Sequence, residues 1–457
     1  MNIGAREVNL VITIINIVAI VLYAMTVIYI YNKHTEYFCA MLIILIYWAQ
    51  LLVSSAYIET GVYLKDIGTT SYATGATFRL FLQIELMLGV ITYWAKKMPR
   101  KIESDYYVTR NDRKWLHIIF AVYAYRLLDI IISGNVLTNS AVTRFNYFSD
   151  YSKLPLAQII DYFSYPLLWV AGYFCVAEAA KKKKILPLTI FVLNLAALFL
   201  RGIQFGGYLQ CVIYFLSPLL LKLAQKRKLL KFRYIALATC AIVIMLIPKY
   251  NHFAEVIKAG NADTSYGLST AYDFLTYRAL AQEADLTWAI DRQVVESRDV
   301  DPGHYFDEMA SILGIETNKP TGAHYLMNRG CSKSALTIYS YGTAAVTGGY
   351  PVIWAAMFGY IGAIPFLIID ASLLSLLLRC ICEGLQRRNF LKLLVSTYLL
   401  CQCYTIVISA NFSAIGNIIP LIFILFLLLL GNKKIVLRNN KDDIKKINPD
   451  IRGGNVK

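Results

Sequence analysis

The sequence predicts an all-α, polytopic integral membrane protein. Three observations lead there. Of its 457 residues, 57% are hydrophobic and only 16% charged, far from the balance of soluble domains. Mean hydropathy is positive. Apolar runs long enough to cross about 30 Å of hydrocarbon recur along the whole length. One membrane domain is therefore expected, not a soluble protein with an anchor. A cleavable signal peptide is not expected, because the first run, Val8 to Tyr31, is too long and lacks a small-residue cleavage site.

About 11 spans can be read, at 8–31, 38–58, 74–95, 115–134, 157–180, 185–200, 205–222, 232–249, 358–379, 391–410 and 417–431. Basic residues fix their sidedness. Lys96, Lys97, Arg100, Lys101, Arg110, Arg113 and Lys114 separate spans three and four; Lys181 to Lys184 follow span five. Further clusters follow span seven (Lys226 to Arg233) and span nine (Arg379, Arg387, Arg388, Lys392), and the last opens the tail at Lys433. If the spans alternate, all five clusters share one face, which the positive-inside rule makes cytoplasmic. The N-terminus is then external and the C-terminus cytoplasmic. The net charge of +16 is thus read as topology, not as a nucleic-acid surface.

The organisation follows. Residues 1–249 form an N-terminal bundle of about eight spans, and residues 250–343 one large external loop. Residues 344–432 hold about three more spans with a surface helix leading into span nine, and 433–457 are a polar, disordered tail. From Asn251 to Tyr341 the loop carries seven Lys/Arg against twelve Asp/Glu. Within it Ser269 to Arg298 reads as a helix capped by Ser269 or Thr270 and ended by Asp301-Pro302-Gly303. Gly348-Gly349-Tyr350-Pro351 reads as a turn or helix start at the membrane surface. Eight of the nine cysteines lie in or beside apolar runs, Cys331 being the exception, so neither a disulfide framework nor a metal site is read from them.

Arginines are the first candidates for chemistry. Arg201 ends the short sixth span and is followed by Gly202, Gly206 and Gly207, which let a ligand approach the backbone. A cation there suits a lipid phosphate, or else snorkels to external headgroups. On a helix, Arg278, Gln282 and Asp285 share one face, with Arg292 two turns on. They make either an intrahelical salt-bridge network or a diphosphate clamp of bidentate guanidinium groups. Arg329 is a further candidate. Glu283, Asp285, His304 and His324 are the candidate general bases, since histidine titrates near neutrality unperturbed and a buried carboxylate reaches it by desolvation. Sequence does not select among them, and a solvated loop histidine is the alternative for each. Tyr277, Gln282, Trp288 and Tyr325 are candidate substrate contacts. Within the spans, Arg126, Asp129 and Asp161 either pair with each other or face a cavity. No metal or cofactor is expected.

The chain resembles the bacterial oligosaccharide repeat-unit polymerases, the Wzy-type O-antigen and capsule polymerases. The resemblance rests on layout over nearly the whole chain: ten to twelve spans, a basic cytoplasmic side and one large external loop in the second half. Three local patterns accompany it: Arg201-Gly202 with Gly206-Gly207; Tyr277-Arg278 with Trp288 downstream; and Thr337 to Gly362, with Gly342, Gly348-Gly349 and Gly359-Tyr360-Ile361-Gly362. The loop does not align with the spaced arginine-glycine motifs of some members. The resemblance implies a GT-C-like multi-spanning glycosyltransferase of the bacterial inner membrane. Its donor and acceptor would be undecaprenyl-diphosphate-linked oligosaccharide, and a chain-length-regulating membrane protein would be a partner. It implies external arginines on the diphosphate, here Arg201 and Arg278, with Arg292 after them.

Three other classes compete. A flippase of lipid-linked oligosaccharide would line its midplane with polar residues and show balanced halves; here the polar groups concentrate in the loop. An O-antigen ligase-like glycan transferase shares architecture and donor. A membrane acyltransferase would need a histidine at a membrane face, for which His117 is the only fit.

Overall fold

The computed structural model describes residues 3–97, 110–136, 138–139, 142, 146–179, 185–203, 205–225, 276–277, 280–317, 319–340, 348–386, 389–416 and 418–430. Span eight, the tail 433–457, the start of the expected Ser269 helix and Arg278 lie outside the described residues.

The apolar runs become helices because an unsatisfied peptide group costs several kcal/mol in hydrocarbon and a helix bonds every one internally. They are α1 (Ile3–Lys33), α2 (Thr35–Ala40), α3 (Leu42–Ile58), α4 (Ala76–Lys96), α5 (Arg110–Ser133), α6 (Ala157–Tyr162), α7 (Ser164–Ala179), α8 (Ile185–Leu200) and α9 (Phe205–Gln225). Five of the described helices are long and apolar enough to cross a membrane: Leu10–Lys33, Ala76–Lys96, Lys114–Ser133, Val352–Leu385 and Phe390–Ser409. The second and fifth runs are not single helices. The second breaks at Met41 and the fifth at Phe163. A short antiparallel hairpin, Tyr63–Leu64 with Thr69–Thr70, joins α3 to α4 where the sequence suggested only a connection.

The loop is helical as well: α10 (Asp285–Arg292), α11 (His304–Ile312), α12 (Ala323–Gly330) and α13 (Lys333–Ser340). The expected helix from Ser269 to Arg298 is interrupted. The chain turns at Ala281–Ala284, so Gln282 and Asp285 do not sit on one continuous helix face. From Arg292 it runs through one wide turn, Gln293–Ser297, and stops at Arg298 in the left-handed region (φ 51°). The expected end at Asp301-Pro302-Gly303 therefore comes a few residues early.

After the turn Gly348–Pro351 comes α14 (Val352–Gln386), then α15 (Phe390–Ser409), α16 (Ser413–Gly416) and α17 (Ile418–Leu430). Gly359 (φ 69°, ψ 173°) breaks α14 into a short lead-in and a long helix. The lead-in is the helix expected at the surface, but it is buried: Val352 to Met357 are each 3% exposed or less. Loop and bundle share one apolar core, which runs from Trp48 and Trp169 in the bundle to Leu286, Trp288, Ile290 and Leu326 in the loop. Helix α7 lies against α9 closely enough that a Cβ on Gly172 would meet the Phe215 carbonyl oxygen at 2.1 Å.

Candidate functional site

Two arginines close on one carboxylate deep in the bundle. Arg126 Nη2 lies 2.5 Å and Arg201 Nη1 2.6 Å from Asp161 Oδ1. The side chains of Arg126 and Arg201 are 4% and 5% exposed, and that of Asp161 21%. Arg126 also donates to Asn194 Oδ1, whose amide nitrogen reaches Cys211 Sγ at 3.0 Å. The Arg201 guanidinium lies over Phe148 (4.4 Å) and Tyr147 (5.2 Å). The Nε atoms of both arginines are buried and make no hydrogen bond. Two cations against one anion leave a positive excess in a place where an unpaired cation is expensive.

The adjacent carboxylate, Asp129, does not join the cluster. It accepts from Tyr147 Oη (2.7 Å), Ser152 Oγ (2.9 Å), Ser133 Oγ (3.0 Å) and the backbone N–H of Lys153 and Leu154. It pins the 146–154 segment over the end of α5, so its role is structural. Chain ends explain how the cluster forms. The Leu200 carbonyl accepts from Val136 N–H, tying the end of α8 to the end of α5. Gly202 (φ 64°) then turns the chain, and Arg201 points back at Asp161 on α6.

A line of polar side chains leads from this cluster to the loop. Tyr165 and Tyr214 pack at 5.7 Å between ring centroids. The Tyr165 hydroxyl lies in the field of Arg126 and Asp161, and the Tyr214 hydroxyl, which is buried without a hydrogen bond, lies in the field of Cys401 and Tyr404. Gln210 lies near the Tyr404 hydroxyl, which is also in the field of Glu283. Tyr47 packs on Tyr404 at 6.2 Å and feels Glu283 as well. Glu283 therefore stands where the loop meets α3, α9 and α15. Its backbone is clamped there, since a Cβ on Gly348 (φ 93°) would meet the Glu283 carbonyl oxygen at 2.0 Å.

The other sequence candidates are placed differently. Asp285 is fully buried; Tyr277 donates to it at 3.2 Å and its own oxygen takes the Leu286 N–H. Burial first, then the charge of Asp66, push its carboxyl well above the usual range. Burial and the charges of Asp285 and Asp66 likewise push the neighbouring Cys331 thiol up to about 12. His304 is also buried. It bonds Glu308 at 3.0 Å and stacks on Tyr325 at 3.4 Å, while Glu308 takes the Gly322 N–H. That set ties α11 to α12. Arg329 is committed to Tyr325 Oη (3.0 Å), Ala356 O (2.9 Å), Asp299 O (2.8 Å) and Asp299 Oδ2 (2.7 Å). It staples the loop and has little left for a phosphate. Arg292 lies over Trp288, which is fully buried and donates to Tyr72 O. Gln282 is half-buried and His324 exposed. Of the eleven described candidates, Arg201 and Glu283 border the polar line, and the charge of Asp285 also reaches Tyr47.

Sequence reasoning passed over several groups. Arg79 grips Asp291 through Nε (2.7 Å) and Nη2 (2.6 Å), and Tyr360 donates to the same carboxylate. Glu59 caps α4, accepting from the N–H groups of Thr74, Gly75 and Ala76. Asp370, inside α14, accepts from Trp354 Nε1 (2.8 Å) and Tyr350 Oη (3.1 Å). An ionisable residue inside an apolar run was the available signal for Arg79 and Asp370. Asp299-Val300-Asp301 also has the spacing of an acidic metal-binding motif. Among the described residues, no group of three or more His, Cys, Asp or Glu gathers in a way that could hold a metal ion.

A model for a family of unknown function, DUF6418, matches residues 316–424. That stretch includes Arg329, the Gly348–Pro351 turn, Asp370 and Tyr404, but neither Arg201 nor Glu283. No curated protein matches the chain. No solved structure matches it.

Proposed function

We propose that the chain is a polymerase that joins undecaprenyl-diphosphate-linked oligosaccharide units into a surface polysaccharide. It would act at the external face of a bacterial inner membrane, with about 11 spans, an external N-terminus and a cytoplasmic C-terminus. The observation that carries the reading is the buried Arg126–Asp161–Arg201 cluster, joined by tyrosines to Glu283 beneath the loop. The acceptor hydroxyl oxygen attacks the anomeric carbon of the donor, its proton passes to Glu283, and the bond to the lipid diphosphate breaks. The positive excess of Arg126 and Arg201 favours charge developing on the leaving diphosphate, and fixed cations in a dry site act strongly there.

Arg278 follows Tyr277 directly in sequence and remains a second candidate for the diphosphate. The test is incubation of the purified protein with lipid-linked repeat unit, with products resolved as a ladder. Extension by the wild type, slowed about 100-fold or more in Arg201→Ala or Glu283→Gln, is the expected result.

A flippase is the second reading. It is favoured by Glu85 and Asp370, two carboxylates inside candidate spans, held by Thr26 and by Tyr350 and Trp354 respectively. Movement of the lipid-linked unit across vesicle membranes without a ladder would select it.

A further inference from the structure

A second cationic pocket lies apart from the cluster described above, at the end of α4. A cavity of about 120 Å³ is lined by Tyr37, Trp94, Lys97, Ser375, Leu376 and Arg379. Three elements build it: the last turn of α4, the start of the second apolar run and the far half of α14. Lys97 is exposed and stands over the rings of Tyr93 (4.3 Å) and Trp94 (5.1 Å). Trp94 is fixed by its indole N–H on Ser372 Oγ at 3.1 Å, and Tyr37 by its hydroxyl on the Ser375 carbonyl at 3.4 Å. Among the described residues Arg379 uses Nε on Glu383, at 2.9 Å, and its side chain is 51% exposed, so the far edge of the guanidinium faces outward for another acceptor. Glu383 is shared with Lys392 at 2.7 Å. Glu36 on α2 faces the same region through Cys382. Among the described residues Lys97, Arg379 and Lys392 outnumber the two carboxylates, and the surplus sits on the two residues that line the cavity.

We infer that this pocket binds a phosphodiester anion. The chemistry is specific. A planar guanidinium offers paired donors to phosphate oxygens, and an ammonium offers a point charge. Indole and phenol rings beside them prefer the boundary between hydrocarbon and water. The exposed apolar residues next to the pocket on α14, Leu373 (60%) and Leu376 (51%), would lie along acyl chains. An anionic phospholipid supplies the phosphodiester and the chains together, whereas a free phosphate supplies only the anion.

The test is native mass spectrometry of the full chain in detergent. It is titrated with phosphatidylglycerol, phosphatidylcholine and inorganic phosphate in separate arms, alongside Lys97→Gln/Arg379→Gln. Preferential retention of phosphatidylglycerol by the wild type, weakened about tenfold in the double variant (about 1.4 kcal/mol), supports a lipid headgroup site. Retention of inorganic phosphate, lost in the same variant, supports the anion site with a soluble ligand. Equal binding by wild type and a variant of unchanged helical circular dichroism overturns the inference. If the double variant does not fold, Lys97→Gln alone carries the test, because Lys97 only overlies exposed rings.

Discussion

Arg126 and Arg201 share one oxygen, Oδ1 of Asp161, at 2.5 and 2.6 Å, although they come from different helices and stand 75 residues apart in the chain. A carboxylate held between two guanidiniums is the counter-charge for both. Removing it leaves two buried cations facing each other. Asp161→Asn is expected to destabilise the protein by about 3 kcal/mol, the scale for breaking a buried ion pair. Thermal unfolding in detergent reads this directly, and a midpoint equal to that of the wild type would mean the cluster is solvated.

Arg201→Lys and Arg201→Ala separate charge from geometry. Lysine keeps the cation but loses the paired donors. On the proposed reading both variants lower chain extension, alanine by about 100-fold, the scale for losing one fixed transition-state donor. If both variants extend chains at the wild-type rate, Arg201 serves the fold alone.

Glu283→Gln keeps the shape of the side chain and removes the base. Chain extension is expected to fall by about 100-fold or more, with unchanged unfolding temperature. Gly348→Ala complements it. The added Cβ at φ 93° would press on the Glu283 carbonyl, shifting the backbone that carries the base at a cost of about 1–3 kcal/mol. Loss of activity in the first variant with full activity in the second would show that the position of Glu283 tolerates movement.

Asp285 makes stability depend on pH. Its folded-state carboxyl titrates well above its ordinary 3.8. The native state therefore holds a proton that the unfolded state has already released, and stability falls as pH rises from about 4 towards the folded value. Between pH 5 and pH 8 the wild type should lose unfolding temperature, and Asp285→Asn, which mimics the protonated form, should lose less. Parallel curves for the two proteins would assign the dependence to other groups.

Arg329→Ala tests the staple. It removes donors to Tyr325, Ala356 and Asp299 at once. Protease cleavage within 293–330 is expected to quicken, with the transmembrane helices left intact. A change in substrate affinity without faster cleavage would restore the phosphate role.

The helices were legible because hydrocarbon admits few alternatives: an apolar run must satisfy its own backbone. Spans three, four, six, seven and ten begin and end within a few residues of the observed helices. The break at Gly359 was legible, since a surface helix was expected to lead into span nine there, whereas those at Met41 and Phe163 were not read, because packing against neighbours decides where those helices yield. The loop was readable as helical but not as continuous, because Ala281–Ala284 has good helix formers and turns for tertiary reasons.

What the sequence determined by itself is the membrane class and a set of ionisable residues set against an apolar background. Charge in such surroundings is expensive, so each such residue had to have a partner or a purpose. Which of the two only the tertiary structure decided. Arg329 and His304 turned out to hold loop helices together, Asp285 to be sealed beside Asp66, and Arg201 to meet Arg126 across Asp161. Some of these contacts are local, His304 with Glu308 and Arg329 with Tyr325 one turn apart. Those of Arg201 with Asp161, of Arg329 with Asp299 and Ala356 and of Asp285 with Asp66 join residues far apart in the chain, and no local pattern records them. They exist because helix ends of unequal length meet at one depth, which is a property of the packed bundle.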